Sequence, residues 1–187
     1  MKQQLIIVII FSTFIFANCK KDSNEPEGNY FGYAKATING NIITYNKCAA
    51  NFLINNTDSI GLSFERWEGL ILKEKIGFQK IYKNATNSQR IYKYTYVNNQ
   101  IEKLSSGYYT LRDDGDVLCD VYDVYETDSL QNFITITSYN TQTKEIRGTF
   151  QATYLIDSAR LATIGRCRAT APDTIRIRNG EFYTKFF

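Results

Sequence analysis

An all-β domain, most simply an antiparallel β-sandwich with an open β-barrel as the alternative, follows from three properties of this 187-residue chain. Its body breaks into short segments of period-two alternation, punctuated by Asn, Asp and Gly. It holds 14 Tyr and 12 Phe against two Pro and one Met, and aromatic residues suit a pleated, half-buried surface. No stretch sustains the 3.6-residue apolar period of a helix. Many short strands at this spacing fit a sandwich or a barrel.

The chain opens differently. Lys2 precedes Leu5 to Phe16, an apolar run broken only by Ser12 and Thr13. A spanning helix requires about 20 apolar residues, whereas a signal-peptide core requires about 7–15. The run therefore predicts a signal peptide over residues 1–18. It ends at Phe16-Ala17-Asn18-Cys19, which resembles a lipobox, where a cysteine after a small residue receives diacylglycerol before cleavage. The tetrad departs from the common Leu-Ala-Gly-Cys form at Phe16 and Asn18. A thiolate is a good nucleophile for alkylation, and acyl chains contribute about 0.8 kcal/mol per buried CH₂. Cys19 is the expected lipidation site. Residues 19–29 hold no large apolar side chain and read as a flexible tether. Residues 30–187 then form a single β-rich domain, long enough for a real core.

Within that domain, Phe31–Ile38 leads to Asn39-Gly40, a tight-turn pair, and on to Ile42–Tyr45. Cys48–Ile54 ends at Asn55-Asn56-Thr57-Asp58, and Ser59–Glu65 places Ile60, Leu62 and Phe64 on one face. Lys75–Ile81 and Arg90–Val97 alternate in the same way, the second ending at Asn98-Asn99. Tyr108–Leu111, Val117–Tyr125, Phe133–Tyr139 and Ile146–Ile156 follow, the last two joined as a hairpin across residues 140–144. Asp157–Ala171 is the longest loop, closed by Pro172. Thr174–Arg178 and Phe182–Phe187 flank Asn179-Gly180, which predicts a type I′ hairpin.

Composition excludes several classes of function. Histidine is absent, which removes His general bases, Ser-His-Asp and Cys-His systems and His-ligated metals. Carboxylate, Lys, Tyr and Ser–Lys chemistry remains open. A formal charge of +3 gives no footprint for nucleic acid. With Cys19 acylated, three cysteines remain, and outside the cytoplasm one disulfide and one thiol are expected. The sequence allows three pairings; Cys119 alternates with Val117 and Val121 and so points into a core, which favours Cys48–Cys167 as the candidate disulfide. Three cysteines without close spacing make no metal site, and nothing in the sequence calls for a metal or a cofactor.

Ala36-Thr37-Ile38-Asn39-Gly40, Ile146-Arg147-Gly148-Thr149-Phe150 and Ile175-Arg176-Ile177-Arg178-Asn179-Gly180-Glu181-Phe182, together with the Cys19 leader, resemble small uncharacterised all-β lipoproteins of Bacteroidota. The resemblance implies an envelope-located β-domain and carries no catalytic residue with it. Basic-then-acidic residues after Cys19 resemble those of surface-displayed lipoproteins of the same lineage. Asp58-Ser59-Ile60, Asp128-Ser129-Leu130, Asp157-Ser158-Ala159 and Asp173-Thr174-Ile175 resemble its O-glycosylation acceptor, which makes Ser59, Ser129, Ser158 and Thr174 candidate sites; Asp-Ser and Asp-Thr pairs also make ordinary turns.

Other features bear on ligands. Arg112-Asp113-Asp114-Gly115-Asp116 lacks the position-12 glutamate of an EF-hand and reads as a turn. Asp113, Asp116, Asp120, Asp123 and Glu126 include the carboxylates that a glycosidase pair would need, but alternation sends Asp120 and Asp123 to opposite faces. Tyr92, Tyr94 and Tyr96 share one face of a strand and can stack sugars or cover a core. Trp67, the one tryptophan, sits among charged residues at a rim, as a binding anchor or a core cap. Arg176 and Arg178 alternate with Ile175 and Ile177, face outward together and suit an anionic glycan or phosphate.

The expected function is a membrane-anchored envelope lipoprotein in the outer membrane, acting as a non-catalytic binding or structural module for a glycan or protein partner. A carboxylate-dependent hydrolase of envelope or extracellular polymers and an inhibitor or immunity lipoprotein are the alternatives.

Overall fold

The computed structural model describes residues 30–186, apart from 54–55, 86, 98–99, 113–116 and 165–170. The expected signal peptide and tether, with Cys19, Cys167, Asp113 and Asp116, lie outside the described residues. Strands β1 (Tyr33–Ile38) and β2 (Asn41–Tyr45) form the expected hairpin, with Ile38 opposite Asn41. Asn39 and Gly40 both take positive φ (47° and 88°), the type I′ geometry whose twist matches the strands. β3 (Lys47–Leu53), β4 (Asn56–Glu68) and β5 (Ile71–Tyr82) make an antiparallel meander longer than the alternation alone suggests. Short segments β6 (Gln89–Arg90), β7 (Tyr96–Val97) and β8 (Gln100–Ile101) precede β9 (Ser105–Leu111) and β10 (Leu118–Val124). A 3₁₀ turn over Glu126–Gln131 leads to β11 (Phe133–Tyr139), β12 (Glu145–Ile156), helix α1 (Ser158–Ile164) and β13 (Thr174–Lys185).

The main sheet runs β2-β1-β13-β12-β10-β9-β5-β4-β3, and all its ladders are antiparallel. It divides at β12. One edge of that strand follows β13 from Glu145 to Leu155, while the other is shared between β11 (Ile146–Gln151) and β10 (Tyr154–Ile156). Two layers therefore diverge from one strand and enclose the core, a sandwich-like all-β fold. Asn132, fully buried, holds the fork: its Nδ2 donates to the Tyr125 carbonyl and its Oδ1 accepts from the Thr153 amide, each at 2.8 Å. The edge strand β3 approaches the β1–β13 side of the sheet through one parallel bridge, Ala50 to Phe186, and the Phe31 amide reaches the Cys48 carbonyl at 2.7 Å. These contacts do not close a barrel.

Inward residues of both layers form one core cluster. Phe64 lies 5.1–5.5 Å from the ring centroids of Phe78, Phe150 and Phe182. Burying each such side chain stabilises the fold by about 1.5–3 kcal/mol relative to exposing it. Toward one end the inner face turns polar: Arg66 Nε donates to Glu74 Oε1 at 2.9 Å, and the Tyr108 hydroxyl donates to Glu74 Oε2.

Four expectations are corrected. Asn179-Gly180 is no hairpin; β13 runs through it as one strand, with Asn179 at φ 51° forming a bulge against both neighbours. Arg90–Val97 is not one strand: β6 pairs with β11, Ile91 enters the core, Tyr92 bridges to Ser105, and only Tyr96–Val97 returns to a ladder. The 157–171 loop contains α1, begun by Asp157, whose Oδ1 accepts from the Ala159 and Arg160 amides. The Cys48–Cys167 pairing fails, because Cys48 is a free, fully buried thiol on the core face of β3, and burial pushes it far above its usual range. Cys119 is buried as expected, but it is the described cysteine that is disulfide-bonded.

No helix among the described residues is long and apolar enough to cross a membrane.

Candidate functional site

The registers of β3, β4, β5 and β9 decide what their solvent-facing side presents. Lys47 stands opposite Glu65, which is opposite Lys75, which is opposite Tyr109. One row along, Ser63 faces Gly77, and Gly77 faces Gly107. Two glycines side by side leave bare backbone in the middle of a sheet, where glycine marks close approach of another group. Here that group is tyrosine. The Tyr109 side chain folds back across Gly107, so that a Cβ there would sit 2.6 Å from its hydroxyl. Tyr94 crosses from the segment after Tyr92, and its hydroxyl donates to the Gly77 carbonyl at 3.4 Å. The result is a groove of about 300 Å³ with Asn51, Ser63, Lys75 and Gln79 on its rim and the two tyrosines as its wall.

Its charge is internally balanced. Lys75 Nζ lies 2.8 Å from Glu65 Oε1, which also accepts from Ser63 Oγ at 3.0 Å, while Trp67 Nε1 donates to Glu65 Oε2 at 3.0 Å. Burial would raise the Glu65 carboxyl, but the hydrogen bonds from Lys75, Tyr30 and Trp67 and the Lys75 charge hold it below its usual range. Burial raises the Tyr94 and Tyr109 phenols, so both remain protonated donors at neutral pH.

Of the aromatic residues singled out from sequence, Tyr94 and Tyr96 come together. Their rings stack at 6.4 Å and 15°, with Tyr96 64% exposed beyond the groove wall. Tyr92 lies apart, between Arg90 and Lys103, each 5.0 Å from its ring. Trp67 is a half-buried cap: Lys47 Nζ covers its ring at 4.1 Å and its amide donates to Asn46 Oδ1 at 2.8 Å. Glu65 links it to Lys75 on the groove rim. Arg176 and Arg178 are not an outward pair. Arg176 is exposed, whereas Arg178 donates to the Ala152 carbonyl (3.2 Å), Thr153 Oγ1 (2.9 Å) and Asp128 Oδ2 (3.2 Å), which commits it to the fork of the sheet. Tyr109, Lys75, Gln79 and the Gly77–Gly107 pair went unremarked in the sequence. Gly77 inside the alternating Lys75–Ile81 segment was the available signal, but Gly107 fell just outside the expected Tyr108–Leu111 strand, and only the register makes the two neighbours.

Asp123 and Glu126 meet at Lys93, whose amide donates to Glu126 Oε1 at 3.1 Å, but Asp120 does not join them. Asp120 is buried, its amide donating to Thr110 Oγ1, while Asp123 pairs with Lys93 Nζ at 2.7 Å on the opposite side of β10. Among the described residues no group of three or more Cys, Asp or Glu is placed to hold a metal. Ser59 is fully buried in β4, so a glycan there would require the strand to open; this corrects the expectation for that position. Ser129 in the 3₁₀ turn and Thr174 at the start of β13 are half-buried, and Ser158 at the start of α1 is exposed.

Comparison of the chain with family models, with curated proteins and with solved structures yields no match.

Proposed function

We propose that this chain is an envelope lipoprotein, acylated at Cys19, whose β-domain is a non-catalytic module that binds a glycan or protein partner at the outer membrane. The observation that carries the binding half is the groove over Gly77, walled by Tyr94 and Tyr109. It combines an aromatic wall with neutral donors and acceptors on a preformed floor, the usual make-up of a small-ligand site. Among the described residues the one carboxylate beside it is Glu65, buried and bound to Ser63 and Lys75, so they offer no pair of carboxyls, roughly 5–10 Å apart, of the kind glycoside hydrolysis requires. This favours binding over the hydrolase alternative. The address rests on the leader, whose apolar run has signal-peptide length and ends at Cys19. Likeness to the Bacteroidota lipoproteins points the same way.

Intact mass and peptide mapping of protein from native membranes test the address. The expected result is a chain lacking residues 1–18 with acyl groups on Cys19 and, if the acceptor motif is used, sugar on exposed Ser158. An unmodified Met1 at the start of the membrane-fraction protein overturns it. For the binding half, a photo-crosslinker at position 79 is expected to capture a partner from envelope extracts, with loss of capture in Tyr94→Ala; equal capture by the two proteins refutes the groove as the site.

A further inference from the structure

Within that binding reading, on which this inference rests, we propose that the groove over Gly77 takes an uncharged saccharide unit. The floor comes first. Gly61 and Gly77 both line the groove, and there a ring can lie against the sheet backbone without meeting a Cβ, while Tyr109 and Tyr94 cover Gly107 beside them. The wall is aromatic: Tyr94 and Tyr109 line the groove, and Tyr96, stacked on Tyr94, continues the wall into solvent. The C–H face of a sugar ring packs against such a surface as other apolar groups do. The rim supplies the polar half. Asn51, Ser63 and Gln79 are neutral, each able to donate and accept. Same-face residues along a strand lie about 6.7 Å apart and neighbouring strands about 4.8 Å apart, a grid on the scale of the hydroxyls around one ring.

Charge and size decide between ligand classes. The groove's cation, Lys75, is already neutralised by Glu65 at 2.8 Å, and the Glu65 side chain is only 3% exposed. A uronate or sulfate would have to compete with that carboxylate for Lys75, whereas a neutral hydroxyl accepts from Lys75 without breaking the pair. A volume of about 300 Å³ lies at the low end for small-molecule sites, roughly 300–1,000 Å³. A protein partner would need about 800 Å² of surface on each side, far more than this groove offers.

The test uses the acylated mature protein in a zwitterionic detergent with no sugar headgroup. The probes are cellobiose, maltose, mannobiose and N,N′-diacetylchitobiose, with an unsulfated hyaluronan disaccharide as the anionic counterpart, read by saturation-transfer NMR and calorimetry. At least one neutral probe is expected to bind, with the uronate weaker by about tenfold. Gly77→Val fills the floor, and a Cβ there meets only the Tyr94 hydroxyl at 3.4 Å; it is expected to weaken binding about tenfold or more. Gln79→Ala removes a rim amide without touching the core and should cost about fivefold. Unchanged melting temperatures show that either variant still folds. Absence of binding by all four neutral probes, equal binding of the uronate, or affinity that survives both substitutions overturns the proposal. If the neutral sugars fail while the position-79 crosslinker captures a defined protein, the saccharide assignment falls and the broader binding reading stands. If both fail, both fall.

Discussion

Glu65 ties the outer face together more than any other side chain: Lys75, Ser63 and Trp67 all converge on its two oxygens. Burial opposes its ionisation, and those partners more than offset the burial, so its folded pKa lies below its unfolded value of about 4.3. A depressed carboxyl contributes stability that is present above the unfolded value and lost as pH falls through the folded one. The domain is therefore expected to lose urea resistance progressively below about pH 4.3. Glu65→Gln should cost about 1–2 kcal/mol at neutral pH and flatten that acid limb; an acid limb of the same slope in both proteins would contradict the assignment. Residue-level legibility was uneven for a related reason. Tyr94 and Tyr96 were readable because a stripe of tyrosines shows in one stretch of sequence. Tyr109 was not, since its importance comes from lying over Gly107 and beside Tyr94, a residue fifteen positions away in the chain and on another segment. Arg178 misled in the opposite direction: alternation put it on the outside, but a guanidinium on a long stem reached back to Asp128 and Thr153.

The two Asn-Gly pairs show how a local signal becomes an element. At Asn39-Gly40 the flanking segments pair with each other, and the dipeptide is a hairpin turn. At Asn179-Gly180 the flanking segments pair with β12 on one edge and β1 on the other, and the same left-handed Asn absorbs one extra residue in both ladders. Both conformations need positive φ at Asn, so propensity does not separate them. The length of β12 does, because twelve residues require a partner of similar span. The physics also predicts different costs. Gly40 has open space around it, so Gly40→Ala should cost only its φ strain, about 1 kcal/mol. A Cβ at Gly180 would lie 2.5 Å from the Phe150 carbonyl oxygen and 2.7 Å from its ring, so Gly180→Ala must push β13 off β12 and should cost about 2–3 kcal/mol. Urea midpoints at unchanged slope measure both; equal losses would mean that the 179–180 bulge is not packed as described. Helix α1 was legible in principle. Asp157-Ser158-Ala159 is an N-cap as readily as a turn, and the side chain caps the Ala159 and Arg160 amides.

What the whole molecule has in its interior is tyrosine. Tyr45, Tyr108, Tyr122 and Tyr154 are buried where the two layers meet, with Tyr108 5.6 Å from Tyr122 and 6.0 Å from Tyr154. Their hydroxyls are fitted unequally: Tyr154 bonds Ser106 Oγ at 2.7 Å and Tyr122 donates to the Pro172 carbonyl at 3.0 Å, while the Tyr45 hydroxyl has no partner among the described residues. Burial raises the phenols of Tyr45, Tyr94, Tyr108 and Tyr154, and the nearby Glu74 carboxylate adds to the shift at Tyr45 and Tyr108. A raised folded pKa contributes stability that is complete below the unfolded value, about 10 for tyrosine, and lost as pH rises through the folded one. Each such tyrosine steepens the loss by about 1.4 kcal/mol per pH unit. Four acting together would exhaust a typical stability of about 5–15 kcal/mol within one to three pH units above 10. The expected outcome is a cooperative alkaline unfolding in which a block of tyrosinate absorbance appears together with the loss of β-sheet circular dichroism. Tyr154→Phe removes one ionisable group while keeping the ring, and should move the midpoint to higher pH and make the transition less steep. Tyrosinate absorbance that rises to completion while the dichroism stays native would mean that these phenols are reached by solvent in the folded state, and the two-layer core described here would have to be more open than its packing indicates.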